Sequence, residues 1–166
     1  MITLQLSQGY VALVDDEDFE QVSQFKWHAK VDTHTVYAAR NITLPNGRRT
    51  GQRLHRFILG PNDSQVVDHR NGNGLDCQRS NIRICTQTQN AANRRKQASS
   101  SHFKGVSWFK RLGNWAVKVH YNNKDIYIGN FTSELDAAHA YDAAAIKYFG
   151  EFANTNFQEN LCTSVQ

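Results

Sequence analysis

VVDHRNGNGLDCQRSNIRICTQTQNAAN, residues 66–93, organises the chain around it. The apolar pair Val66 and Val67 leads into Asp68 and His69. A turn cluster, Arg70 to Gly74, follows, and its asparagines and glycines tolerate the left-handed backbone of tight loops. Next come Asn81, the alternating Ile82-Arg83-Ile84, and a helix-like run through Asn90 and Asn93. The pattern predicts strand, loop, strand and helix, with one metal-capable residue at the end of the first strand and another on the helix.

These residues at these offsets resemble the ββα-metal core of HNH endonucleases, in particular the phage and intron-encoded homing type. The resemblance implies that Asp68 and His69 open the motif, Asn81 braces the hairpin and Asn90 closes the site from the helix. The implied catalytic set is therefore His69, Asp68, Asn81 and Asn90, with Asp68 and Asn90 as metal ligands. Oxygen-only ligation by few protein groups suits one Mg²⁺ (or Mn²⁺), which takes its remaining ligands from water and phosphate. Successive strand side chains alternate, so His69 points away from Asp68. That leaves its imidazole out of the metal shell and free to act as base on the attacking water. With an unperturbed imidazole, activity is expected to rise near pH 6.5. Arg83 is placed to reach a phosphate; Asn93 is open as ligand, DNA contact or plain surface residue.

Residues 1–60 read as a small β-rich module. Ile2, Leu4 and Leu6 alternate with polar residues, and Tyr10 to Val14 follows a Gly9 turn, as in a hairpin. Asp15-Asp16-Glu17-Asp18 suits the positive end of a short helix ending near Phe25. Lys26–Val31 and Val36–Ile42 are further strand candidates, with Trp27 and Tyr37 as core aromatics. After the Pro45-Asn46-Gly47 turn, Arg48, Arg49, Arg53 and Arg56 form a basic face. Leu54 to Leu59 has helical spacing and stops at Gly60 and Pro61. His55 is open as second metal ligand, phosphate contact or packed histidine. The VDDEDFE, KW and HR-ILG patterns resemble the segment that precedes the HNH hairpin in phage relatives.

Residues 94–102, RRKQASSSH, read as a basic helix end (Arg94, Arg95, Lys96) running into a flexible serine linker. The expected domains are thus 1–96, with the ββα-metal core at 64–96, a linker at 97–102, a second module at 103–157 and a tail at 158–166. Within 103–157, Phe103–Phe109, Asn114–Tyr121 and Lys124–Phe131 are strand-like, the last two joined by the two-residue turn Asn122-Asn123. Thr132 is the expected N-cap of a helix over 133–149. Its alanines leave a flat face, with Leu135, Tyr141 and Ile146 filling the gaps and Gly150 past its end.

FKGVSW, GNWAVKV, IYIGNF and SELDAAHAYDAAAIKYFGEFANTNF resemble the APETALA-type (ethylene-response-factor) DNA-binding domain. The resemblance implies a three-stranded sheet that enters the major groove, which is wide enough to admit it. Lys104 and Tyr127 fall on family contact positions, and Lys118 and His120 lie on the same strand face. Ser107 and Asp125 depart from family arginines, so the plant target sequence does not carry over.

Composition fits a polyanion partner. Of 166 residues 40% are hydrophobic, and the net charge of +4 hides an uneven distribution. Residues 1–39 carry −4, residues 40–125 carry +12 and residues 126–166 carry −4. A basic block flanked by acidic ends is the electrostatic footprint of nucleic-acid binding. Cys77, Cys85 and Cys162 are odd in number and lack CxxC pairing, against a disulfide framework or a zinc site and for a reducing interior. No apolar run approaches the roughly 18–20 residues of a membrane span, and MITLQLSQGY lacks the features of a signal peptide.

The expected fold class is α+β: a β-rich opening module leading into a ββα-metal core, then a three-stranded antiparallel sheet packed on one helix. The expected protein is a metal-dependent DNA endonuclease of the HNH homing type. It acts in the cytoplasm on nucleoid or host-cell double-stranded DNA, with no membrane and no obligatory protein partner. Arg56, Arg83, Arg94, Arg95, Lys104, Lys118, His120 and Tyr127 are the expected DNA contacts. A non-catalytic DNA-binding regulator and a structure-selective repair or recombination nuclease are the alternatives.

Overall fold

In the computed structural model, which describes residues 1–33, 35–94 and 99–157, the chain is mixed α and β. It carries several small antiparallel sheets and four α-helices among the described residues. It divides into two compact units, residues 1–90 and 91–166. No described helix is long and apolar enough to cross a membrane.

The first unit opens with the expected hairpin, β1 (Ile2–Gln5) against β2 (Val11–Val14). Helix α1 (Asp16–Ser23) follows. A three-stranded sheet comes next, β3 (His28–Val31), β4 (Val36–Thr43) and β5 (Arg49–Arg53), with β4 central. The residues of β5, RTGQR, read only as a basic face; they form a strand because β4 offers them its free edge from Ala39 to Thr43. Helix α2 (Leu54–Leu59) ends at Gly60, which takes the left-handed conformation at φ 58°. The hairpin of β6 (Val66–His69) and β7 (Ile82–Cys85) leads into α3 (Gln87–Ala92). The core gathers Ala12, Val14, Val22, Trp27, Ala38, Leu54 and Cys77.

The β6–β7 loop is stitched to the opening hairpin. Leu13 N–H donates to Leu75 O at 2.8 Å and Cys77 N–H donates to Leu13 O at 2.9 Å. The acid run at 15–18, expected to suit a helix start, also reaches across to this loop. Asp15 accepts from Arg79 N at 2.7 Å, and the Arg79 guanidinium donates to Asp18 at 2.7 and 2.9 Å. The backbone hydrogen bond from Arg79, helped by the Gln78 side chain, holds Asp15 below the usual carboxylate range.

The second unit is a three-stranded sheet with β9 (Asn114–Tyr121) between β8 (Val106–Phe109) and β10 (Lys124–Phe131). Helix α4 (Glu134–Phe149) packs on one face. Ser133, not Thr132, caps it: the backbone turns helical one residue later, and the Ser133 hydroxyl accepts from Asp136 N. Ala137, Ala138, Ala144, Ala145 and Tyr141 bury against Val106, Val117 and Val119. Leu135 and Ile146 are exposed instead of filling gaps, because helical phase turns them off the alanine face. Gly105 sits at φ 74°, and a Cβ there would lie 1.9 Å from the Tyr141 ring. The serine run differs from a free linker: Ser101 is buried and its hydroxyl donates to Glu134 at 2.7 Å. Lys96 and Gln97, the expected boundary residues, and the tail lie outside the described residues.

Candidate functional site

The β6–β7 hairpin presents different chemistry on its two faces. Asp68 pairs with Arg83 across the ladder, so the two side chains share a face. Asp68 is buried and Arg83 partly so, and the Arg83 guanidinium donates to Asp68 Oδ2 from Nε at 3.0 Å and from Nη2 at 2.9 Å. Cys85 shares this face; its thiol donates to Val66 O, and Asp68 and the backbone of Asn90 both act on it electrostatically. Asn90 stands half-buried on α3. An Asp carboxylate and an Asn carboxamide are hard oxygen donors, the set that suits Mg²⁺. The donor chemistry of Asp68 and Asn90 therefore fits such an ion, with one Asp68 oxygen shared with Arg83.

His69 closes β6 on the opposite face and is 6% exposed. Its ring stands edge-on to His55 at 4.8 Å between centroids and tilted to Tyr37 at 5.9 Å. Burial pushes its pKa down to about 4, against the pull of the Asp68 and Asp76 carboxylates. Its imidazole is thus neutral throughout the physiological range. His55, the second residue of α2, is pushed down to about 2, by burial first and by the His69 and arginine charges second.

Asn81 ties the loop. Its Oδ1 accepts from Asn71 N at 3.1 Å, its Nδ2 donates to Asp76 O at 2.8 Å, and its carbonyl accepts from Arg70 N at 2.9 Å. Gly74 passes so close to β4 that an added Cβ would lie 2.6 Å from Val36 O.

The residues expected to touch DNA fall into two groups. Several are engaged within their own unit. Arg83 is on Asp68, Arg56 donates to Gln65 O at 2.9 Å, and the Lys104 ammonium donates to Ala92 O. Burial lowers the Lys104 pKa to about 8. Others are exposed: Arg94 beyond α3, and Lys118, His120 and Tyr127 on the sheet face away from α4. Arg95 lies outside the described residues. Lys118 and Tyr127 are cross-strand partners, and His120 pairs with Asp125 at 2.8 Å. With Ser107, Phe109, Leu112, Ala116 and Asn130 the Lys118–Tyr127 pair lines a groove of about 390 Å³.

Cys77, which in the sequence is only one of three cysteines without CxxC pairing, lies against His55 and His69. Its only signal was a cysteine beside the loop's Asp76. The loop-to-β2 stitching that carries it inward is a long-range backbone contact with no local pattern.

No protein-family model matches the chain. It is 32% identical over 155 residues to an uncharacterised HNH endonuclease of Acanthamoeba polyphaga mimivirus, covering 90% of this chain and 76% of that protein. It is 41% identical over 76 residues to the AP2-like ethylene-responsive transcription factor AIL7 of Arabidopsis thaliana, covering 42% of this chain and 15% of that protein. A second such factor from the same plant, PLT2, is 43% identical over 63 residues, 37% of this chain and 11% of its own length. The match therefore spans well under a fifth of each plant protein.

Proposed function

This chain belongs to the HNH endonuclease family, and we propose that it hydrolyses phosphodiester bonds of double-stranded DNA with the help of one Mg²⁺ or Mn²⁺. The observation that carries the reading is the β6–β7 hairpin, with Asp68 and His69 on opposite faces and Asn81 tying its loop. The bound cation, held by Asp68 and Asn90, would neutralise charge developing on the phosphate and leaving oxygen. His69, neutral because it is buried, accepts the proton of the attacking water at a ring nitrogen. Asn81 fixes the loop that positions His69. Arg83 holds the Asp68 carboxylate in place.

The outer sheet face of the second unit is the proposed site-reading surface. Phosphate contacts position a protein, while base-edge contacts specify where it sits. Lys118, His120 and Tyr127 stand exposed on three-stranded antiparallel structure, and the similarity of 37–42% of this chain to plant transcription factors supports the reading. We propose a homing-type division of labour, with cleavage in the first unit and site choice in the second.

A second reading, a DNA-binding regulator without catalysis, draws on the Arg83 pairing of Asp68 and on the burial of His69. Supercoiled plasmid pools incubated with and without Mg²⁺ decide between the two. Metal-dependent nicked or linear product with mapped ends supports the nuclease; binding without product supports the regulator. Lys118→Ala with Tyr127→Ala in the full chain is expected to blur the cut-site map while leaving cleavage chemistry intact.

A further inference from the structure

His55 is 3% exposed and its buried Nδ1 has no hydrogen-bond partner among the described residues. A polar atom taken from water without a partner is costly, and a histidine so placed is also a ready metal ligand. The His69 ring stands edge-on to it at 4.8 Å. The third member is Cys77, fully buried, whose thiol makes a long contact to Gly74 O at 3.9 Å and is also hydrogen-bonded by the backbone of His55. One nitrogen from each imidazole and the Cys77 sulfur lie within 4.8 Å of one another.

That spacing is near what a tetrahedral ion requires. With bonds of about 2.0–2.1 Å to nitrogen and about 2.3 Å to sulfur, ligand atoms stand roughly 3.3–3.8 Å apart. The three donors need to close by roughly 1 Å around an ion of that kind. The set is two imidazoles and one thiol, soft donors that select Zn²⁺ over Mg²⁺. It shares no side chain with the oxygen donors Asp68 and Asn90. Three separate elements hold it: α2, the end of β6, and the loop stitched to β2 through Leu13. The Asp76 carboxylate acts on both Cys77 and His69 and supplies negative charge beside the cluster.

We infer that His55, His69 and Cys77 form a binding site for one thiophilic divalent cation, Zn²⁺ above all. Cys77 enters as thiolate, so binding releases its proton to solvent. Three protein donors leave a fourth position for a solvent-derived ligand. Occupancy also takes up a His69 nitrogen, so Zn²⁺ antagonises Mg²⁺-dependent cleavage. This last consequence rests on the proposed role of His69 as base; the binding itself does not.

The full chain is titrated with Co²⁺ as a spectroscopic stand-in, then with Zn²⁺ in competition. One Co²⁺ per chain with a thiolate-to-cobalt charge-transfer band is expected, displaced by Zn²⁺ and lost in Cys77→Ser. His55→Ala is expected to weaken Zn²⁺ binding at least tenfold, and Asp68→Asn to leave the band unchanged. Because substitutions at buried positions can prevent folding, zinc-edge X-ray absorption of the unaltered protein provides an independent reading. A shell with one sulfur and two imidazoles supports the site. A shell without sulfur, or a cobalt band that persists in Cys77→Ser, overturns it and leaves the nuclease reading standing. Zinc bound through sulfur without loss of cleavage supports the site and removes His69 from the base role.

Discussion

Replacing Asn81 by alanine removes two side-chain hydrogen bonds at a buried position, from Asn71 N–H and to Asp76 O. Each leaves a backbone group short of a partner, at a cost of roughly 1–3 kcal/mol when the group is buried. Asn71 and Asp76 are on a loop with some access to water, so the sum is expected at about 2–4 kcal/mol rather than the full range. Asn81→Asp is nearly the same shape and keeps the acceptor for Asn71. It sets a second oxygen against the Asp76 carbonyl, however, so it is expected to be no milder than alanine. The assay is amide hydrogen exchange. Arg70 N–H donates to the Asn81 carbonyl and Asn71 N–H to its side chain, so both report on the brace directly. A loss of 2–4 kcal/mol corresponds to exchange faster by roughly 30- to 1,000-fold, at about 1.4 kcal/mol per decade. The amide of Val117, in the other unit, is the internal control. Unchanged exchange at Arg70 and Asn71, with a stability loss under about 0.5 kcal/mol, would refute the view that Asn81 holds this loop.

Gly105→Ala is expected to destabilise the second unit by about 2–5 kcal/mol, from left-handed strain plus overpacking against Tyr141. Urea denaturation followed by Trp108 and Trp115 fluorescence checks it, and an unchanged midpoint would contradict the close Gly105–Tyr141 packing. The first unit is expected to lose stability as pH falls. His55 and His69 have folded-state pKa values of about 2 and 4, below the ordinary 6.5, so the unfolded chain binds more protons between those limits. Their contribution is complete above pH 6.5 and is lost progressively toward pH 4; equal unfolding midpoints at pH 7.5 and 5 in a His55→Gln comparison would count against their burial. DNA binding is expected to weaken steeply with salt, with a log–log slope near −5 for about six phosphate contacts. A slope shallower than about −2 would assign the +12 block over residues 40–125 to another task.

The sequence made local features legible and long-range ones not. Alternation in ITLQL and the apolar run YVALV after the Gly9 turn identified the first hairpin, and Asn122-Asn123 marked a tight turn, both residues taking positive φ, 50° and 59°. The opposite facing of Asp68 and His69 followed from strand period alone. The strand β5 was hidden because its polar, glycine-containing residues carry no alternation and owe their form to β4. The Arg79 clamp on Asp15 and Asp18 joins residues over sixty positions apart, and no periodicity signals it. Arg83 read as a phosphate contact because its partner on the next strand depends on register, which places it on Asp68. Lys104 likewise read as a groove contact, but its ammonium turns back to Ala92.

The most direct test of the central claim compares unaltered protein with His69→Ala in single-turnover cleavage of supercoiled DNA, with DNA affinity measured in parallel. The expected result is Mg²⁺-dependent cleavage that chelation abolishes, and a His69→Ala rate lower by roughly 10²–10⁴ with binding retained. Cleavage by His69→Ala at the unaltered rate, or by the unaltered protein in the presence of chelator, would contradict the account.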